Sequence, residues 1–191
     1  MVSDLPGDPQ NPDVYTIGYG SRTIEALVET IEQNGIDFLV DVRSAPYSRY
    51  KPEFNREALE AVLGGRGIRY VFLGDALGGR PDDPDCYADG KVDYDRVRNK
   101  EFYLKGIDRL LRAREQGTRM ALICSEGRPE ECHRSKLIGA TLTEREIPVT
   151  HLDEDGIPRT QAEVIDRLTG GQLGLFGDPS FTSRKRYEAE E

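Results

Sequence analysis

Short apolar runs alternate with helix-spaced patterns along most of this 191-residue chain, and that alternation restricts the fold more than any single motif does. Val14 to Gly18, Phe38 to Arg43, Arg69 to Leu73, Met120 to Cys124 and Ile147 to Leu152 each have the length and apolar character of a buried strand. Between the first two, Ile24, Leu27, Val28 and Ile31 fall on one helix face, with Ser21 the expected N-cap and Gly35 the stop. Asn55 opens a second helix carrying Ala58, Leu59, Val62 and Leu63 and closed by Gly64-Gly65. Tyr103, Ile107, Leu110 and Leu111 mark a third that ends at Gly117, and Leu137, Ile138 and Leu142 mark a fourth. Thr160 and Glu163 make a capping box for a fifth, which stops at Gly170-Gly171. Such alternation implies α/β architecture: a single three-layer domain, with a mostly parallel five-stranded sheet and helices on both faces.

The length suits one domain, expected over residues 14–176. Residues 1–13 and 177–191 hold too little apolar surface to offset the entropy of ordering, and are expected to be mobile tails. With 26 Lys+Arg against 35 Asp+Glu, the formal charge of −9 disfavours nucleic acid and anionic membranes as partners. An anionic ligand would have to be captured locally. No apolar run approaches the roughly 20 residues of a membrane span, and Met1 to Pro12 lacks the apolar core of a signal peptide. A cytoplasmic protein with reduced thiols is expected, since three cysteines build no disulfide framework. Nothing in the chain speaks to oligomeric state.

The densest chemistry lies in Cys124-Ser125-Glu126-Gly127-Arg128-Pro129-Glu130-Glu131-Cys132-His133-Arg134, between an apolar strand and a helix that Pro129 suits in its first turn. Ligands of open α/β sheets bind outside the carboxyl ends of the strands. Parallel strands would bring Gly18-Tyr19-Gly20-Ser21, Asp41-Val42-Arg43-Ser44, Gly74-Asp75 and Cys124-Ser125-Glu126 to one such crevice. Cys124 is the candidate nucleophile, its thiolate favoured by guanidiniums and a helix N-terminus; the alternative is a small core residue. His133 or Glu126 would move protons, and Cys132 would resolve an oxidised Cys124 or bind substrate. Arg43, Arg128 and Arg134 offer bidentate donors to an anion, although Asp41 can instead pair with Arg43 structurally. Gly18, Tyr19 and Ser21 allow close backbone approach, with Ser21 equally readable as a cap. Ser48 sits with Tyr47, Arg49, Tyr50, Lys51 and Phe54 in a segment able to stack on a base and contact phosphate. A metal on Cys124, Cys132 and His133 needs further ligands, and neither C-x-x-C nor H-x3-H spacing is present, so no metal or cofactor is expected. The long stretch Gly74 to Gly90 reads as a flap or a surface loop.

Tyr15-Thr16-Ile17-Gly18, Asp41-Val42-Arg43 with Pro46 and Ser48, and Cys124 with Glu126, Cys132, His133 and Arg134 resemble the family called domain of unknown function 488. The resemblance runs from about Val14 to Leu152 and implies a single α/β domain without an assigned activity. Asp41-Val42-Arg43 and the Cys124 to Arg128 loop are also faintly similar to rhodanese-type sulfurtransferases, although Glu126 and Pro129 depart from an anion-binding loop. The expected function is a cysteine-dependent enzyme, a transferase or hydrolase, acting on a small anionic or nucleotide-like ligand. Its alternatives are a nucleic-acid or protein binding module and a redox sensor through Cys124 and Cys132.

Overall fold

The computed structural model describes residues 13–171 and 181–187; of the expected tails, residues 1–12, 177–180 and 188–191 lie outside that range. In chain order the elements are β1 (Val14–Gly18), α1 (Ile24–Gln33), β2 (Phe38–Asp41), α2 (Arg56–Gly64), β3 (Arg69–Phe72) and α3 (Gly74–Leu77). A two-stranded hairpin, β4 (Tyr87–Ala88) and β5 (Lys91–Val92), precedes α4 (Tyr94–Arg98) and α5 (Glu101–Glu115). Then come β6 (Met120–Cys124), α6 (Ala140–Glu144), β7 (Val149–Leu152), β8 (Pro158–Thr160) and α7 (Gln161–Thr169).

The main sheet is ordered β3-β2-β6-β1-β7-β8. Its first five strands are parallel and are the five expected ones; β8 adds an antiparallel edge. Three residues starting with proline carry no alternation, so β8 left no periodic signal. All five residues of β6 are buried, as a central strand covered on both faces requires. One apolar cluster gathers Ile17, Leu39, Ala121 and Ile123 with Leu27, Val28 and Ile31 of α1 and Leu59 and Leu63 of α2. A second, on the other face, joins Val40 and Leu122 to Tyr103, Ile107 and Leu110 of α5 and to Leu137, Ile138 and Leu142.

That division places the site. The chain leaving β1 or β2 turns to one face of the sheet, while the chain leaving β6, the strand between them, turns to the other. Loops that diverge in this way open a crevice at the carboxyl ends of the strands.

Local chemistry departs from expectation at three helix starts. Thr23, not Ser21, caps α1, its hydroxyl accepting from the Ala26 amide at 3.2 Å. Asn55 precedes α2 but spends its side-chain oxygen on the Ser48 amide, 2.6 Å away, which ties down the 44–50 loop. Pro129–Glu131 forms only one 3-10 turn; Cys132 is extended, and a π-helical run, Arg134–Gly139, leads into α6. By contrast the Thr160 capping box and the left-handed Gly170 close α7 as expected.

Gly74 to Gly90 is built from α3, a 3-10 turn at Pro84–Cys86 and β4 rather than plain loop. Phe181 to Tyr187, which falls in the expected C-terminal tail, is docked: Ser183 N–H donates to Val92 O at 2.9 Å and Tyr187 N–H to Gly90 O at 2.7 Å. No helix among the described residues is long and apolar enough to cross a membrane.

His151 in β7 is fully buried, its Nδ1 2.7 Å from the Thr16 hydroxyl and its Nε2 2.7 Å from Gln161 Oε1. An amide oxygen only accepts, so Nε2 carries the hydrogen and Nδ1 accepts from Thr16. Burial lowers the pKa of this neutral ring from 6.5 to about 4, with the nearby Arg134 charge adding to the effect. Below pH 6.5 the unfolded chain takes up a proton that the folded chain refuses until about pH 4. The contribution is therefore complete above pH 6.5 and is lost as the pH falls through that window, up to about 3 kcal/mol. Urea unfolding of wild type and His151→Gln across pH 4 to 7 checks this: the variant should show the shallower slope, and parallel slopes would refute it.

Candidate functional site

In the parallel register Gly18 lies beside Cys124 and Asp41 beside Ile123, so three strands end at one level. The backbone continues the ladder past the strands: Tyr19 N–H donates to Cys124 O at 3.1 Å and Gly20 N–H to Ser125 O at 3.0 Å. At this level the structure forms a cavity of about 300 Å³. Cys124, Cys132 and His133 line it together with Tyr19, Arg43, Ser48 and Glu126.

The two sulfurs and a ring nitrogen of His133 all lie within 4.8 Å of one another. His133 Nε2 is 3.0 Å from the carbonyl oxygen of Val42, which directly follows β2. A carbonyl only accepts, so Nε2 must carry a hydrogen. Nδ1 is thereby turned to the thiols, 3.8 Å from Cys124 Sγ and 3.6 Å from Cys132 Sγ.

The break at Cys132 decides which sulfur holds negative charge. Its extended backbone lets its carbonyl accept the Ser135 and Lys136 amides while its sulfur accepts the Arg134 amide at 3.5 Å. Cys132, and not Cys124, therefore sits at the helix N-terminus. Arg134 Nε also points at that sulfur, at 3.3 Å. Burial works against a Cys132 thiolate, but the Cys124 S–H and the Arg134 guanidinium outweigh it and hold its pKa well below the usual cysteine value. The hydrogen bond with Cys132, and burial after it, push the Cys124 thiol well above that value. The helix start that sequence placed beside Cys124 thus lies at Cys132.

The remaining candidates divide between wall, support and surface. Arg43 reaches the cavity but is held by Asp41, Nε to Oδ1 at 2.9 Å, and Tyr70 donates to Asp41 Oδ2 at 2.7 Å. Its guanidinium also lies 5.5 Å from the centre of the Tyr19 ring, which stacks on Phe54. Arg134 is fully buried behind the thiols, bonded to the Glu126 and Gly127 carbonyls. The close approach allowed by Gly18 is to the protein itself, because a Cβ there would overlap the Glu126 carbonyl. Ser21 is exposed and does not line the cavity. Arg128 faces away, pairing with Glu130, Glu131 and Glu154. Glu126 sits at the rim, 3.1 Å from Arg184, which also holds Glu131 at 2.8 Å.

Tyr94, Lys185 and Tyr187 also line the cavity and were not singled out from sequence. The run Gly78-Gly79-Arg80 carried a signal, since a Cβ at Gly79 would overlap the His133 ring, and only glycine allows that wall so close. Ser44 Oγ accepts the Arg80 amide at 2.9 Å, joining two walls. Burial keeps the Tyr94 phenol protonated, the sulfurs adding to the effect.

A family model described as domain of unknown function DUF488 matches residues 23–141, which hold the Asp41, Cys124 and His133 segments. No curated protein and no solved structure matches the chain. The fainter likeness to rhodanese-type sulfurtransferases is not borne out, and the loop after Cys124 turns two carbonyls toward Arg134 instead of closing around an anion.

The buried Asp41–Arg43 pair fixes one wall. Asp41→Ala would leave a buried guanidinium unpaired and should cost about 3–5 kcal/mol in denaturant unfolding, whereas a loss below about 1 kcal/mol would show the pair to be dispensable.

Proposed function

The chain belongs to the DUF488 family, whose description assigns no activity, and we propose from the site itself that it is a cysteine-dependent transferase or hydrolase. One observation carries the reading: His133 Nδ1 faces both sulfurs at 3.6 and 3.8 Å while its other nitrogen is bound to the Val42 carbonyl. A base held in one tautomer beside a thiol is the arrangement nucleophilic catalysis requires. Cys124, the more exposed of the two thiols, is the attacking sulfur, and its proton passes to His133 Nδ1. The sulfur then bonds the electrophilic atom of the substrate, and the leaving group departs with the proton from His133. Cys132 holds negative charge beside Arg134 and accepts from Cys124, so it tunes the attacking sulfur. Glu126, held by Arg184, shapes the rim rather than moving protons at the sulfurs.

The proposed substrate is small and anionic or nucleotide-like. Arg43, Arg80 and Lys185 bring positive charge to the cavity, and Tyr19, Tyr47 and Tyr94 bring rings and phenols. Nucleic acid is the less favoured ligand at a net charge of −9, although Tyr47 and Tyr50 are 68% and 97% exposed. A second reading is thiol redox sensing, favoured by the proximity of the two sulfurs.

Reduced protein treated with a chelator should react with iodoacetamide at neutral pH on one thiol of the pair, while fully buried Cys86 stays silent. His133→Ala should slow that labelling by about tenfold or more. Wild-type labelling as slow as that of Cys86 would remove the nucleophile. For the redox reading, one equivalent of peroxide should convert both thiols to an intramolecular disulfide with release of two waters. A sulfinic acid with no disulfide would exclude it.

A further inference from the structure

We propose that Cys124, Cys132 and His133 also form a three-ligand site for a borderline-soft divalent cation of the zinc type, with the fourth coordination position open to the cavity. Three independent features of the cluster point that way.

The first is spacing. Tetrahedral bonds of the usual length, about 2.3 Å to sulfur and 2.0–2.1 Å to nitrogen, set an S···N edge of about 3.6 Å. The observed edges to His133 Nδ1 are 3.6 and 3.8 Å, and the third edge is within 4.8 Å. The donors already stand where a single ion would gather them, without rebuilding the backbone.

The second is orientation. A ligating histidine needs its far nitrogen held by an acceptor, which fixes the ring and raises its basicity. Val42 O does this at 3.0 Å, and Gly79 packs against the ring face. A ligating thiolate is likewise steadied by N–H donors, and Cys132 Sγ receives two, from the Arg134 amide and from Arg134 Nε.

The third is donor type. Two sulfurs and an imidazole, all buried, suit zinc or cobalt and not magnesium or calcium, which take oxygen ligands. The rim carboxylates of Glu126 and Glu131 are occupied by Arg184 and stand apart from the cluster. A fourth ligand must then come from the cavity, as water or as an anion. Binding releases the Cys124 thiol proton to solvent. Two thiolates, the divalent ion and Arg134 leave one positive charge, which makes an anion the preferred fourth ligand.

The ion uses the same lone pairs as the proposed nucleophile, so a loaded site is a silent thiol site. The inference does not rest on thiol catalysis, and the two can fail separately. The test uses full-length protein, reduced and stripped with a chelator, then titrated with cobalt(II). One equivalent should produce sulfur-to-cobalt charge-transfer absorption and visible bands of tetrahedral intensity, which zinc(II) bleaches and excess chelator abolishes. Cys86→Ser should behave as wild type, whereas Cys124→Ser and His133→Ala should lose or shift the bands. Zinc should also raise the melting temperature of wild type but not of Cys124→Ser, a comparison that stands even if one variant folds poorly. Absence of the charge-transfer absorption in wild type, or its survival unshifted and at full intensity in Cys124→Ser, overturns the site. Brisk alkylation without cobalt bands would sink the metal and keep the nucleophile; cobalt bands with sluggish alkylation of the stripped protein would do the reverse.

Discussion

The guanidinium of Arg134 is the constraint from which the site follows. It is a fully buried cationic group, yet among the described residues no carboxylate lies within ion-pair distance of it. Its acceptors are the Glu126 and Gly127 carbonyls, the Thr16 hydroxyl and the sulfur of Cys132. Buried charge demands a counter-charge, and the sulfur is the one group in that set able to supply it. The same side chain pulls the loop after β6 back over Gly18. One arginine thus joins β1, the post-β6 loop and the start of the following helix.

Topology supplies what that charge acts upon. Inserting β6 between β1 and β2 while sending its helix to the opposite face leaves a crevice that neither layer covers. The segment after β3 and the chain end at residues 181–187 then become walls of that crevice. Their anchoring is mostly backbone hydrogen bonding. The Arg184 contacts to Glu126 and Glu131 are between half-exposed groups and add little to stability. They do hold both carboxylates at the rim, away from the sulfurs.

The parallel sheet was legible because buried strands and amphipathic helices differ in period, and the central strand β6 is a continuous apolar run. Gathering Cys124, Arg43 and Tyr19 at one edge followed from that reading. What sequence did not disclose depends on local geometry without a period. The extended Cys132 and the π-helical turn after it are invisible to spacing rules that assume a regular helix from Pro129. That is why the helix N-terminus was read as facing Cys124, with Cys132 placed inside the first turns. Likewise Ser21 and Thr23 are both good caps by composition, and only the path of the backbone selects Thr23. The contribution of Lys185 and Tyr187 could not be read at all, because a polar, charged chain end looks the same whether it is docked or free.

That docked end has a practical bearing on how the protein is handled. Tyr187 lines the pocket, and its amide is fastened to Gly90. Any foreign polypeptide joined directly after Tyr187 would begin at that wall, where its own histidines or charges can compete for whatever enters. Recombinant material with no added segment joined there gives the cleaner view of what this molecule binds.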